Sequence, residues 1–455
     1  MLKPWKQSSA NSAASNPHTL SDENYSDLHE LTLLPLADGH FIDFLVPYCS
    51  QGTVKPRYIC NDKCPHDLLP NIDNLLVDLP ENPEIQTSLQ KVAFSEKTQL
   101  QNLNVQLVAQ LLPECFPAWQ KKNCASLTSS SSKAKWLKIF WRWVQPHSLK
   151  HFTGKMVLPL TSEDSGAGFQ VTRLNKNSSV VCISEECSSE LLSALTKLQV
   201  RYIQSDEFPY LHHRDLFSYL NRYDTGGLFT AIANACDHET QLQNVNLTLN
   251  QACSLQLFLS TGCKGITAAH KSVLHNLPIF SVLNQSKLYS IAEAKHTSWQ
   301  GRAILEPDNF DISPKHLPLN LIVFSQSRNQ GPLLDGLDAP NQTDFILNSL
   351  FPMISCGAYP DTMLDSLMEE VLQLSAMLKS QFPFEFTYQL TNLAFLRINN
   401  HSCIRKPPNQ LFDPSNENLK ELFKGEDVFP IHPFNQHLQH LRKHGPSQKN
   451  APVSC

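Results

Sequence analysis

The stretch Leu31–Leu45, LTLLPLADGHFIDFL, and its looser echo Lys155–Val171, KMVLPLTSEDSGAGFQV, decide how this chain is read. Each places alternating apolar residues on both sides of a polar turn, the pattern of two strands joined as a hairpin. The first turn is the tight Ala37-Asp38-Gly39; in the second it lengthens to Thr161–Gly168. The neighbours recur as well. Leu34-Pro35-Leu36 matches Leu158-Pro159-Leu160, and Tyr58-Ile59-Cys60 matches Val180-Val181-Cys182. Cys64-Pro65-His66-Asp67-Leu68-Leu69 matches Cys187-Ser188-Ser189-Glu190-Leu191-Leu192. A near-constant offset predicts a duplicated hairpin-strand-helix module, which chance hairpins do not.

Outward from the two hairpins, the chain reads as α+β, with small mixed sheets packed by helices. Residues 1–28 are Ser/Asn-rich and aperiodic, a disordered arm. A first α+β region covers 29–236 and holds the copies at 31–79 and 155–203. The polar link Asp237–Asn246 precedes a helix-rich second α+β region at 247–435, and 436–455 is a polar, basic tail. Helices are expected at Pro83–Phe94, at Leu103–Phe116 and, as a broken pair, across Tyr210–Cys236. Further helices are expected at Leu255–Ser260, Ala268–Asn276 and, as one long helix, Asp361–Phe382. A Ser-rich insertion, Ser126–Trp136, runs into the amphipathic KAKWLKIFWRWVQ, whose Leu137, Phe140, Trp141 and Val144 share a face. That face is expected in the core, with Lys and Arg stems along its edges, rather than on a membrane or partner.

Composition narrows the function. Only 15 of 455 residues are Gly, well under the usual ~7%, and there is no G-x-x-x-x-G-K-[ST] and no G-x-G-x-x-G. Phosphate-cradling loops need such glycines, so a nucleotide-dependent enzyme complete in this chain is not expected, nor is a cofactor. The net charge of -5 speaks against a nucleic-acid partner. The N-terminus has no apolar signal segment, and no apolar run approaches the ~18 residues of a membrane span. The 13 cysteines, with no C-x-x-C pair, then read as buried, reduced thiols of a cytoplasmic protein.

Several stretches touch on chemistry. His213–Asn221, HRDLFSYLN, approaches the kinase loop H-R-D-x-x-x-x-N, but its Asn comes one residue late and no D-F-G follows. It reads as a solvent-facing helix start. Asp224–Gly227, DTGG, echoes the D-x-G-x-G loop of GHKL ATPases without their acidic-Asn box; it reads as a helix-breaking turn. Cys60 with Cys64 (and His66 nearby), Cys182 with Cys187, and the tail residues His437, His440 and His444 have loose metal-ligand spacing. The matched repeat positions of the cysteines favour packing over zinc. Cys64-Pro65-His66-Asp67 reads as a helix entry, because near neighbours at a helix start point apart. No catalytic, cofactor or metal residue is therefore assigned.

Taken together, "LLPLADGHF", the strand ending Tyr58-Ile59-Cys60, the "LLPN" start at Leu68 and "WLKIFWRWV" resemble the sacsin-type internal-repeat family. "VLHNLPIFSVL" (Val273–Leu283) and the more specific "NQLFDPSNENLKELFKGEDVFPIHPF" (Asn409–Phe434) resemble it too. The resemblance runs from about residue 30 to 435 and includes no catalytic signature; no GHKL-type ATPase-like head is read in it. It implies a non-enzymatic scaffold of co-chaperone type in the cytoplasm, assisting protein folding or quality control. Its implied partners are client proteins and seventy-kilodalton heat-shock chaperones. The alternatives are a degenerate GHKL-type ATPase segment, with Asp224–Gly227 as its remnant loop, and a purely structural interaction module. Client contact could use Trp136–Val144 or Ser380–Tyr388, SQFPFEFTY, although both read as core.

Overall fold

A computed structural model describes residues 32–43, 48–50, 53–60, 66–79, 81–93, 99–162, 168–183, 186–236, 242, 244–263, 266–398 and 404–431. The arm at 1–28, Cys64-Pro65, the tail histidines and most of the Asp237–Asn246 link lie outside the described residues. The architecture is α+β, with several sheets of two or three strands among helices. The chain forms two compact units, Met1–Cys187 with Gln199–Ala235, and Ser188–Leu198 with Cys236–Cys455.

The repeated module is wider than the sequence match. In the first copy β1 (Thr32–Pro35) and β2 (Phe41–Asp43) form the antiparallel hairpin, turned at Gly39 with φ +87°. A second short hairpin follows, β3 (Tyr48–Ser50) with β4 (Thr53–Lys55). Then β5 (Arg57–Ile59) pairs in parallel with β6 (Leu76–Val77) on one edge and β7 (Leu100–Asn102) on the other. Leu36 bridges antiparallel to Val77 and so ties the hairpin to the parallel strands.

The second copy repeats the first hairpin and the parallel trio. β8 (Cys124–Thr128) lines the outer edge of the hairpin β9 (Met156–Leu160) and β10 (Gly168–Arg173). Central β11 (Val180–Ile183) pairs in parallel with β12 (Arg201–Gln204) and β13 (Asn221–Arg222). The Thr161 N–H, donating to the Tyr202 carbonyl at 3.0 Å, makes the same junction as Leu36–Val77. A third copy, invisible in the sequence comparison, lies in the second unit. Its hairpin is β14 (Phe280–Ser281) with β15 (Leu288–Tyr289), and β16 (Ala303–Leu305) runs parallel to β17 (Ile322–Phe324). Val282 bridges antiparallel to Phe324, and Asp338 bridges Ile304 in the place of the third strand. A capped helix follows each time: Asn104 caps Val105–Cys115, Asp224 caps Thr225–Ala235 and Asn341 caps Gln342–Phe345.

Several expectations are corrected. The copies bounded at 31–79 and 155–203 omit the third parallel strand, β7 or β13. Among the described residues a helix follows the central strand in the second copy, Ser189–Lys197, while the first has 3-10 turns at His66–Leu68 and Asp73–Leu75. Pro70 explains the difference, since its ring has no N–H to donate and blocks helical continuation, and Asn71 then takes φ 68°. The Ser-rich insertion is the end of β8, a turn and the helix cap Ser131, whose hydroxyl accepts from the Ala134 N–H. Between Tyr210 and Asn221 there is a 3-10 turn, Leu216–Ser218, rather than a helix. The long C-terminal helix is interrupted at Leu374, into Asp361–Gln373 and Ser375–Gln381, and a new helix starts at Pro383.

Helix Ser132–Val144 centres the core of the first unit. Ala134, Trp136, Leu137, Phe140, Trp141 and Val144 are all buried, as the amphipathic pattern predicts. The Trp136 indole N–H donates to the Leu68 carbonyl and the Trp141 indole N–H to the Val157 carbonyl, each at 2.8 Å. One residue belongs to the first copy and the other to the second. Phe116, Trp119, Trp136, Phe140 and Phe152 complete an edge-to-face and stacked aromatic cluster with centroids 4.7 to 5.5 Å apart. In the second unit Asn329 joins β14 to the end of β17. Its amide accepts from the Ser281 N–H at 2.8 Å and donates to the Ser281 and Ser325 carbonyls, both at 2.8 Å.

Trp141→Ala is expected to destabilise the protein by about 3–5 kcal/mol through the cavity it leaves. Trp141→Phe, which mainly strands the Val157 carbonyl, should cost about 1–3 kcal/mol. Urea-unfolding midpoints check both, and a Phe variant with an unshifted midpoint contradicts the role given to the indole bond.

Candidate interaction surface

The sequence stretches that touched on chemistry are used for construction. His213 Nε2 lies 2.7 Å from the His147 carbonyl, and its Nδ1 accepts from the Asp215 N–H at 3.0 Å. Asn221 donates its amide to the Ser178 and Val180 carbonyls at 2.7 and 3.1 Å, holding β13 beside β11. The kinase-like residues are thus strand and turn fasteners, and they open no helix.

Asp224–Gly227 is a helix start rather than a helix-breaking turn. Asp224 Oδ1 accepts from the Gly227 N–H at 2.6 Å, and its carbonyl accepts from Leu228. Gly227 is required for closeness, not for a positive φ: a Cβ there would fall 2.2 Å from the Arg222 carbonyl oxygen. The cap and β13 are pressed together at this point.

The cysteines divide. Cys60 and Cys115 are buried, while Cys49, Cys124, Cys253 and Cys356 are exposed, which corrects the expectation of uniformly buried thiols. Burial first, with Glu114 adding to it, pushes the Cys115 thiol up to about 12, so it stays protonated and unreactive. Burial likewise raises Cys182 and Cys187, and the Tyr223 hydroxyl donates to Cys187 Sγ at 3.3 Å. Among the described residues no group of three or more His, Cys, Asp or Glu is placed to hold a metal ion. Also among them, no helix is long and apolar enough to cross a membrane.

The two stretches considered for client contact part company. Trp136–Val144 is core. Ser380–Tyr388, expected in the core, is core on one face only: in helix Pro383–Asn392, Phe386 and Leu390 are buried while Phe384 is 89% and Tyr388 72% exposed. Those two lie four apart and so share one helix face in solvent. Leu249, Cys253 and Leu257 form a second exposed row on helix Leu249–Ser260. Sequence periodicity marks these residues as apolar; it does not tell which apolar residues of a dense aromatic run are left over.

The segment that follows the Phe384 helix is tied down by charge. Arg405, with a side chain 7% exposed, contacts Asp361 and Asp365 at 2.5 Å each and donates to the Phe395 carbonyl. Arg397 adds a 2.9 Å contact to Asp365. This clasp ties the start of helix Asp361–Gln373 to the antiparallel pair β18 (Leu396–Arg397) and β19 (Arg405–Lys406), just beyond the exposed pair. The "LFDP…GEDVFP" motif folds back on itself nearby in sequence. The Phe412 N–H donates to the Val428 carbonyl at 2.8 Å and the Phe412 ring stacks on Phe423 at 4.7 Å.

The described residues form a repeated α+β module with surplus apolar side chains exposed on two helix faces, and no metal-ligating cluster occurs among them. Comparison with curated proteins supplies the particular relative: the chain is 24% identical to human sacsin over 434 residues, covering 90% of this chain and 9% of sacsin. It therefore spans about a tenth of that protein's length. No family model matches the chain, and no solved structure matches it.

Two predictions follow the geometry. Gly→Ala inside a helix ordinarily stabilises by about 0.5–1 kcal/mol. Gly227→Ala is expected to have the opposite sign, destabilising by roughly 1–3 kcal/mol in urea unfolding, because backbone at Arg222 must move. A stabilised variant would refute the close-approach role. For the clasp, the Arg405 hydrogen bond, followed by the nearby Arg405 and Arg397 charges, holds Asp361 below its ordinary 3.8. The stabilisation is then present above that value and lost as pH falls through the lowered one. Asp361→Asn should accordingly be less stable than the parent at neutral pH, and the gap should close on acidification past 3.8. A gap independent of pH would remove the clasp from the account.

Proposed function

We propose that this chain is a non-enzymatic, sacsin-like scaffold that assists folding or quality control of other proteins through protein–protein contacts in the cytoplasm. The observation that carries this reading is the Phe384–Tyr388 pair, two large apolar side chains left in solvent on a helix whose other face is core. Exposed aromatics on a braced helix suit transient contact with unfolded segments that expose apolar side chains of their own. The sacsin likeness supports the same reading, with client proteins and seventy-kilodalton heat-shock chaperones as the partners it implies. A non-enzymatic role is further supported by the occupation of the kinase-like and GHKL-like residues in capping and strand pairing.

The test is suppression of aggregation of a heat-denatured model protein by the full chain. Phe384→Ser with Tyr388→Ser should weaken protection several-fold while leaving the melting temperature in place, since both side chains are exposed. Equal protection by the double variant would sink the proposal.

A further inference from the structure

The first unit contains a cleft of about 210 Å³ lined by Pro113, Pro117, Gln120, Lys121, Thr153, Gly154, Lys155 and Arg173. Three of these residues are cationic and none is acidic. Among the described residues, the groups that place Arg173 are neutral. It donates to the Gly154 carbonyl at 2.6 Å, to the Gln120 carbonyl at 2.5 Å and to Asn123 Oδ1 at 3.4 Å. That uses three of the five guanidinium N–H groups, and among the described residues no carboxylate pairs with the positive charge. Beside it, burial first and Arg173 second hold the Lys155 ammonium below its ordinary range, with no carboxylate among the described residues acting on it. Two like charges kept together at a partly buried place are costly unless an anion joins them.

A second, independent feature points the same way. Gln120 is 7% exposed, and its Oε1 accepts from the Met156 N–H at 3.0 Å. Its Nε2 is buried with no hydrogen-bond partner. A buried amide donor ordinarily finds an acceptor. Here an unused donor belongs to a wall of the cleft that the three cations line.

We propose that this cleft is a binding site for a small oxyanion of the phosphate class, either the free ion or a phosphate monoester. Lys121 and Lys155 supply point charges, and the two remaining Arg173 N–H groups suit paired bonds to phosphate oxygens. The volume decides what is enclosed. At about 210 Å³ the cleft is smaller than the roughly 300–1,000 Å³ of sites that enclose drug-sized ligands, so it can enclose a phosphate group but not a whole nucleotide. The site is distinct from the Asp224–Gly227 stretch that echoes an ATPase loop. Its residues come from the end of helix Val105–Cys115, from Pro117–Gln120, from the turn before β9 and from β10.

The experiment is calorimetric titration of the full chain with inorganic phosphate, with O-phosphoserine and with ATP, at ionic strength matched by chloride. Saturable binding of phosphate or phosphoserine is expected, weakened about tenfold or more in Lys155→Met by loss of one charge-assisted contact. Lys121→Met should weaken it in the same direction, and both variants should keep the parent melting temperature. Tighter binding of phosphoserine assigns the site to an esterified group; equal binding assigns it to the free ion. Absence of saturation with both small ligands, or binding unchanged in the Lys121→Met/Lys155→Met double variant, overturns the proposal. ATP binding tighter than that of phosphoserine, and lost in the double variant, would overturn the size argument.

Discussion

Two indole hydrogen bonds hold the first unit in its arrangement. Trp136 and Trp141 sit on one buried face of helix Ser132–Val144, and each N–H reaches a main-chain carbonyl, one in each copy of the module. An indole buried without a partner would cost as much as the bond gains, so the helix can dock in one rotation only. With that rotation set, Phe140 falls onto Phe152 and Trp136 onto Phe116 and Trp119, and the two copies meet in one core, beside which Leu34, Ile59, Val77, Leu89 and Leu100 form a smaller cluster. The basic residues of the same helix are left at its margin, which is why a sequence suited to a membrane surface is instead the centre of a domain.

The module itself is a solution to one problem. A two-stranded hairpin buries too little to stand alone, and a short parallel trio is no better off. Bridging them, at Leu36–Val77, at Thr161–Tyr202 and at Val282–Phe324, ties two weak sheets together, with a helix capped directly after the last strand. The cap is a short polar side chain every time, Asn104, Asp224 or Asn341. Residues that look catalytic in isolation are consumed by this design. Asp224 is a cap, Gly227 gives room for the Arg222 carbonyl, and Asn221 laces β13 to β11. Not consumed by it are the exposed apolar side chains of helix Pro383–Asn392 and the cations that line one cleft.

How far the sequence could be read depended on whether a signal was local. Alternation around Ala37-Asp38-Gly39 showed the hairpin, and the spacing of Leu137, Phe140, Trp141 and Val144 showed the buried helix face, because both are properties of neighbouring residues. The third copy was hidden. Its strands β14 and β15 are two residues each, its third strand is a single bridge at Asp338, and its shared feature is hydrogen-bond topology rather than side-chain identity. Phe384 and Phe386 are of the same type and two positions apart, yet one is exposed and one is core; only the packing of Pro383–Asn392 separates them.

The amino-acid sequence by itself determined the α+β class, the duplicated hairpin and the absence of glycine-rich phosphate loops, since each follows from periodicity or composition along the chain. It also carried the likeness to sacsin. Tertiary structure alone decided where charges and surplus aromatics meet. Lys121, Lys155 and Arg173 are far apart in the chain, and nothing about any one of them tells that a helix end, a turn and a strand will place them around one cleft. Arg405 reaching Asp361 and Asp365 is the same kind of fact. Electrostatic sites depend on distance in space, which falls off over a few ångströms, while sequence records only order along the chain.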